Sequence, residues 1–139
     1  MGGISRNKGK LGERELAGLI SEYLGYEVRR RVRQRDGDSD LEGVPGWCIE
    51  VKRHRTASRA DLRVWWCQAC TQAEKVAQKP VLAYRRDRDE WRMVWPVAMH
   101  LGVQQAHMWM DYAWTVEASV EAWASVVREV VAAERAGRV

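Results

Sequence analysis

Six residues restrict the fold more than any other stretch. In Trp47-Cys48-Ile49-Glu50-Val51-Lys52, successive side chains of an extended strand point to opposite faces. Trp47, Ile49 and Val51 then enter a core, while Glu50 and Lys52 leave together from the other face. The turn signal Val44-Pro45-Gly46 precedes this strand and allows the segment before it to fold back alongside. That brings Asp40, ten residues before Glu50, to the same place. Two carboxylates and one ammonium group within a few ångströms are the expected result.

The remaining pattern supplies elements to surround this strand. From about Leu11 to Leu24, Leu16, Leu19, Ile20, Tyr23 and Leu24 follow helical spacing, and Gly25 supplies a stop. Ser5 to Lys10 is a flexible arm or the lead-in to that helix. Tyr26 to Arg33 reads as a strand, with Tyr26, Val28 and Val32 alternating with charge. Asp36 to Asp40 is a turn-rich acidic link, and Asp40 to Gly43 a short strand. Ser58 can cap a second helix whose stripe runs Leu62, Trp65, Trp66, Ala69, Ala73, Val76 and Ala77, ended by Pro80. Val81 to Tyr84 and Trp91 to Trp95 flank the charged turn Arg86-Asp87-Arg88-Asp89 and form a hairpin. Pro96 to Trp114 yields no assignment. A last helix from about Glu117 to Ala133 carries Val120, Trp123, Ala124, Val127 and Val131 on one face. The order α-β-β-β-α-β-β-α is an α/β fold, a sheet packed against helices.

With 139 residues and no repeat or linker, residues 1–139 are expected to form a single domain. No apolar run approaches a bilayer span, so no membrane partner is expected. The first ten residues lack a signal-peptide core, which points to the cytoplasm. Three cysteines argue against a disulfide framework. Cys67 and Cys70 fall inside a helical pattern without a second pair, so they read as small apolar helix residues rather than zinc ligands.

The chemistry that needs Asp40, Glu50 and Lys52 together is phosphodiester hydrolysis. It calls for a cation that stabilises developing negative charge and lowers the pKa of an attacking water. Mg²⁺ takes hard oxygen ligands, commonly one or two carboxylates, and keeps several waters. Asp40 and Glu50 supply such oxygens, and the Val51 carbonyl can add another. Lys52 can orient or deprotonate the water, or stabilise charge in the transition state. Alone, this spacing also fits a surface strand with an ordinary Glu/Lys pair. Glu13 adds weight. At 100° per residue it sits beside the stripe of Leu16, Ala17, Ile20 and Leu24, whereas Arg14 points away and Glu15 lies off it. An inward acid needs a partner; a metal centre is one, and the helix dipole is the bland alternative. Five arginines, Arg29, Arg30, Arg31, Arg33 and Arg35, stand within seven positions just before the acids. With a net charge of +4 and a pI near 9.2, they point to a polyanionic partner.

Together, Lys8-Gly9-Lys10-Leu11-Gly12-Glu13-Arg14-Glu15-Leu16, then Gly25-Tyr26, Asp40-Leu41 and Ile49-Glu50-Val51-Lys52 resemble the archaeal-type Holliday junction resolvases. These belong to the PD-(D/E)-x-K nuclease superfamily, which has relatives among bacteriophage endonucleases. The resemblance covers about the first 55 residues. It implies a restriction-endonuclease-like mixed central β-sheet flanked by helices, with Glu13, Asp40 and Glu50 as metal-site acids and Lys52 as the catalytic lysine. Arg14 looks like the family's arginine beside the first acid, and Arg30 like its basic residue on the first strand, in the inward phase of Val28 and Val32. Gln68 resembles a glutamine on the helix after the E-x-K strand, suited to positioning DNA or water. The expected protein is a Mg²⁺-dependent, structure-selective DNA endonuclease, with Mn²⁺ able to substitute. It would resolve four-way junctions in DNA recombination and repair, as a homodimer on branched or double-stranded DNA, in the host cytoplasm if phage-encoded.

Ser39 stands where the superfamily name has proline, and the tryptophan-rich C-terminus does not match the archaeal enzymes. Arg53, Arg55 and Arg59 are candidates for phosphate contacts. His54 reads as a surface residue, and His100 and His107 as structural. Of the eight tryptophans, Trp47, Trp65, Trp66 and Trp123 sit on apolar faces, while Trp109 and Trp114 lie in the unassigned segment. Two competing readings follow: a nuclease of the same fold acting on flaps, single strands, nicks or specific duplex sites, and a non-catalytic DNA-binding module. Mg²⁺ binding separates the second from the others.

Overall fold

The computed structural model describes residues 2–32 and 39–137, with side chains of the first helix from residue 9 onward. Its elements are α1 (Gly2–Leu24), β1 (Arg29–Arg30), β2 (Leu41–Glu42), β3 (Trp47–Arg53), α2 (Arg59–Lys75), β4 (Lys79–Arg85), β5 (Arg92–Pro96), α3 (Ala98–Leu101), α4 (Ala106–Met110), a 3-10 turn (Tyr112–Trp114), β6 (Thr115–Ser119) and α5 (Val120–Arg135).

The central sheet has the order β3-β4-β5-β6. The β3/β4 pair is parallel, with α2 as its crossover, and the β4/β5 and β5/β6 pairs are antiparallel. This is a mixed sheet, and helices flank both its faces, as the sequence led us to expect. The alternation of β3 decides what each face receives. Ile49 and Val51, with Val81, Met93 and Trp95, meet Leu16 and Ile20 of α1 and Trp123 and Val127 of α5. On the opposite face Leu82, Tyr84 and Val94 meet Leu62, Trp65, Trp66 and Ala69 of α2. Trp47 and Trp123 pack edge to face at 5.4 Å, the arrangement the ring quadrupoles favour. No helix among the described residues is long and apolar enough to cross a membrane.

Several boundaries differ from the sequence reading. The first helix begins at Gly2, so Ser5 to Lys10 is part of the helix itself, neither an arm nor a lead-in. The expected strand from Tyr26 to Arg33 is reduced to Arg29–Arg30. Val28 is buried, but Tyr26 and Val32 are exposed, and the Ser21 hydroxyl accepts the Val28 N–H at 2.9 Å. A side chain thus takes a bond a strand partner would have made. Arg33, Arg35, Asp36 and Asp38 lie outside the described residues.

Ser58 does cap α2, in a reciprocal capping box with Asp61, but the helix ends at Lys75, not at Pro80. Pro80 lies within β4, paired with Cys48. The segment left unassigned contains α3, α4 and the 3-10 turn, and it leads into β6. The last helix starts at Val120 because Thr115–Ser119 is claimed as a strand by β5, and Ser119 becomes the N-cap.

Gly12 sits inside α1, where glycine is destabilising relative to alanine. Its reason is proximity. A Cβ at this position would stand 2.8 Å from Arg53 Cβ and 3.5 Å from the Trp91 ring. Only a bare backbone lets α1 cross the end of β3 this closely. Gly12→Ala is expected to destabilise the protein by about 1–3 kcal/mol through overpacking, which chemical denaturation will measure. Stability equal to the parent would contradict the close crossing.

Candidate active site

Asp40 is fixed from three directions. Its N–H donates to the Ile49 carbonyl of β3 at 2.8 Å, and its carbonyl accepts the Arg31 N–H at 3.0 Å. Its carboxylate accepts the Val51 N–H at 2.7 Å through Oδ2. In an extended strand a residue's N–H and C=O leave by the same edge, so the Val51 carbonyl faces the Asp40 side of β3. The neighbouring Ser39 is buried; its hydroxyl donates to the Leu41 carbonyl, and its own carbonyl accepts Arg31 Nε at 3.1 Å. Serine at this position ties down the approach to Asp40 with a hydrogen bond.

Glu50 and Lys52 leave the same face of β3, and Lys52 Nζ stands 3.5 Å from Glu50 Oε1. Burial pushes the Glu50 carboxyl up to about 7, the neighbouring Asp40 and Glu13 charges push the same way, and Lys52 opposes them. Raising by like charges means that three carboxylates share one neighbourhood. Glu13 enters from α1 and accepts Arg30 Nε at 2.7 Å, in a pair whose side chains are 14% and 17% exposed. The inward acid of the first helix therefore has the β1 arginine as its partner.

No group of three or more His, Cys, Asp or Glu side chains among the described residues stands ready to hold a metal ion. Mg²⁺ does not require one, since it takes one or two carboxylates and keeps its waters. Asp40, Glu50 and the Val51 carbonyl offer hard oxygens, and the excess negative charge at Glu50 is what a divalent cation would relieve. The residues fit such an ion, with Glu13 as a third acid within electrostatic reach.

The arginines divide into two groups. Arg29 and Arg31 pair with Glu42, Arg30 with Glu13, and Arg53 with Asp87. Arg14, Arg55 and Arg59 are exposed, and none of them bonds to another described residue through its side chain. Gln68 is exposed on α2, the helix covering the Glu50 face. His54 is exposed and stacks on Trp65 at 4.7 Å. The Cys67–Cys70 pair splits, with Cys67 exposed and Cys70 buried; burial pushes the Cys70 thiol up to about 12, which disfavours the thiolate a metal would need. His100 accepts the Trp95 indole N–H at 2.8 Å, a structural role.

Glu15, read as lying off the helix stripe, accepts both Arg85 at 2.7 Å and the Trp91 indole at 2.6 Å. It ties the first helix to the β4–β5 hairpin. No sequence signal marks that role, since its partners are 70 and 76 residues away. Gly12 did carry a signal, an isolated glycine inside a helical pattern.

Comparison with known proteins adds an independent line. A family model described as "Phage putative PDDEXK endonuclease" matches residues 4–131. The chain is similar to Protein D14 of Escherichia phage T5, with 28% identity over 108 aligned residues that cover 63% of this chain and 68% of that protein. Among solved structures it is similar to Archaeoglobus fulgidus Hjc, a Holliday junction resolvase from an archaeal hyperthermophile. That match has a TM-score of 0.48 and 19% identity, and covers 83% of this chain and 97% of the other.

The crowding of acids has a cost that can be read without substrate. Glu50 takes up its proton in the folded protein well above its ordinary value of 4.5. Without metal, the stability that depends on Glu50 is therefore fully present below pH 4.5 and is lost as pH rises through about 7. Glu50→Gln carries no charge to be penalised. In EDTA it is expected to be more stable than the parent above pH 7, by on the order of 3 kcal/mol, with the gap closing toward pH 4.5. Urea melts across that range will show it, and a variant less stable at pH 8 would refute the crowding.

Proposed function

The chain belongs to the phage PDDEXK endonuclease family, and from that premise we propose a Mg²⁺-dependent DNA endonuclease that acts selectively on four-way junctions. The observation that carries the proposal is Asp40 Oδ2 held at 2.7 Å by the Val51 N–H, beside a Glu50 raised to about 7 and 3.5 Å from Lys52. Asp40, Glu50 and the Val51 carbonyl are the proposed ligands, with Glu13, held by Arg30, as a third acid of the metal site within electrostatic reach. When bound, Mg²⁺ supplies Lewis acidity and an acidified water at neutral pH; Mn²⁺ is expected to substitute.

The protein's own groups do the rest. The Val51 N–H fixes the Asp40 carboxylate, so its free oxygen has one direction to offer. Lys52 is placed to orient or deprotonate the water, or to stabilise negative charge on the phosphate. Arg30, held by Glu13 at 2.7 Å, brings a cation to the acids' rim where a phosphate would arrive. Arg14, Arg55 and Arg59 remain for the DNA backbone, with Gln68 on the helix above the Glu50 face.

The junction preference rests on the resemblance of Lys8 to Leu16 and of the Asp40 and Glu50 segments to junction resolvases. A homodimer follows from that preference, since cutting two strands symmetrically calls for two sites related by a two-fold axis. A single nuclease domain over residues 1–139, working in the host cytoplasm on phage DNA undergoing recombination or repair, completes the proposal.

The test is cleavage of a labelled four-way junction with Mg²⁺, beside its linear duplex arms and beside Asp40→Asn. Paired symmetric nicks on the junction alone, lost in the variant, are the expected result. Cleavage of flaps, nicked or linear DNA to the same extent would keep the site and remove the junction preference. If the protein bound DNA but cut nothing with Mg²⁺ or Mn²⁺, the catalytic proposal would fall. Lys52→Ala is expected to lower kcat about 10²–10⁴-fold while DNA affinity changes little.

A further inference from the structure

The chain's positive charge is concentrated in two segments that the fold brings together. Residues 53–63 and 85–92 hold eight arginines against four acids, a surplus of four that equals the net charge of the whole chain. The rest of the sequence is neutral on balance. The two segments meet where β3 and β4 end. Arg53 and Arg85 are register partners, the His54 N–H donates to the Arg85 carbonyl at 3.1 Å, and the Asp87 N–H donates to the Arg55 carbonyl at 3.3 Å. Arg86 donates twice to the Ala57 carbonyl, each at 3.2 Å, which draws the turn before α2 into the same cluster.

Within this cluster most acids are occupied. Asp87 binds Arg53 at 2.6 Å, Asp89 binds Arg86 and Arg92 at 3.3 and 3.5 Å, and Asp61 closes the capping box with Ser58. Arg55, Arg59 and Arg88 are exposed, and none of their side chains bonds to another described residue. Arg88 sits at the tip of the β4–β5 turn with φ 61°, a backbone conformation that glycine or asparagine adopts at less cost. A fixed turn therefore presents an unpaired guanidinium on a strained backbone, next to the end of the strand that carries Glu50 and Lys52.

We infer that this end of the sheet, with Arg88 at its tip, grips the phosphate backbone of a duplex arm beside the cleavage site. The inference deepens the nuclease reading and rests on it. At about 3.3 Å per strand residue, Arg53 lies about 10 Å beyond Glu50, and the turn lies further out. The grip therefore falls about three or more base pairs from the reacting phosphate, at 3.4 Å per pair along the helix axis. Contacts of this kind set register and affinity without reading sequence.

The experiment measures binding of a labelled four-way junction in the absence of divalent metal, across about 50–200 mM salt, by fluorescence anisotropy. Arg88→Ala is expected to weaken binding about 3- to 10-fold and to make the log–log salt slope shallower by about one. Binding of Mg²⁺ alone, followed by calorimetry, should match the parent. Arg88→Gly keeps the turn and relieves its backbone, so it should melt no lower than the parent and still lose the same affinity and slope. Parental affinity and slope in either variant would overturn the grip and leave the nuclease reading standing. A parent protein that binds no DNA at all would overturn the nuclease reading, and the grip with it.

Discussion

An edge strand has unpaired amide and carbonyl groups that something must satisfy. On the open edge of β3 the Trp47 N–H turns to the Val44 carbonyl, and the next bonds go to one residue. Asp40 gives its own N–H to Ile49 and takes the Val51 N–H on its carboxylate, so a backbone and a side chain together finish an edge that a neighbouring strand would otherwise complete. A carboxylate used in this way cannot swing into solvent. The short β1–β2 ribbon, paired through Arg30 with Leu41 and Arg29 with Glu42, holds that residue in place, and α1 closes over it with Glu13 and Arg30. The site is thus the seam where the ribbon, the first helix and the sheet edge meet.

What was legible in the sequence is what depends on near neighbours. The alternation in Trp47 to Lys52 was enough to sort core from site, because period two is a property of the strand itself. The Ser58 cap and the α5 stripe of Val120, Trp123, Ala124 and Val127 were readable for the same reason. Illegible were features decided by partners far along the chain. Thr115 to Ser119 has too few apolar residues to announce a strand; it becomes one because β5 offers an edge, with Val116 and Ala118 turned to the core and Glu117 turned to the Tyr84 hydroxyl at 2.7 Å. The segment after Tyr26 failed as a strand for the opposite reason, since Ser21 captured the Val28 backbone. In the site, the identities of Glu13, Asp40, Glu50 and Lys52 could be proposed from spacing and resemblance. The Val51 N–H as the anchor of Asp40, and Arg30 as the partner of Glu13, could not.

The arginine-rich stretch also changes meaning once folded. Read along the chain, Arg29 to Arg31 is a basic surface. In the structure Arg29 and Arg31 share Glu42, and Arg30 turns inward. Their charge is largely compensated locally, so the segment organises the site more than it advertises it. Cations left without acid partners occur instead where β3 and β4 end. A count of charges along the sequence cannot separate these two uses, because the separation is made by pairing across the fold.

Gly12 bears on all of this in a different sense. A missing methyl group where α1 crosses Arg53 lets the helix come to rest against the sheet by contact, with Leu16 and Ile20 fully buried one and two turns further on. Any shift of the helix toward β3 meets Arg53 at that point. Glu13, the next residue, is therefore positioned by packing as well as by its pair with Arg30. Neutralising the acids, or placing a cation among them, works on a frame already set by packing, so Glu13 inherits its position from that frame as well as from the charges around it.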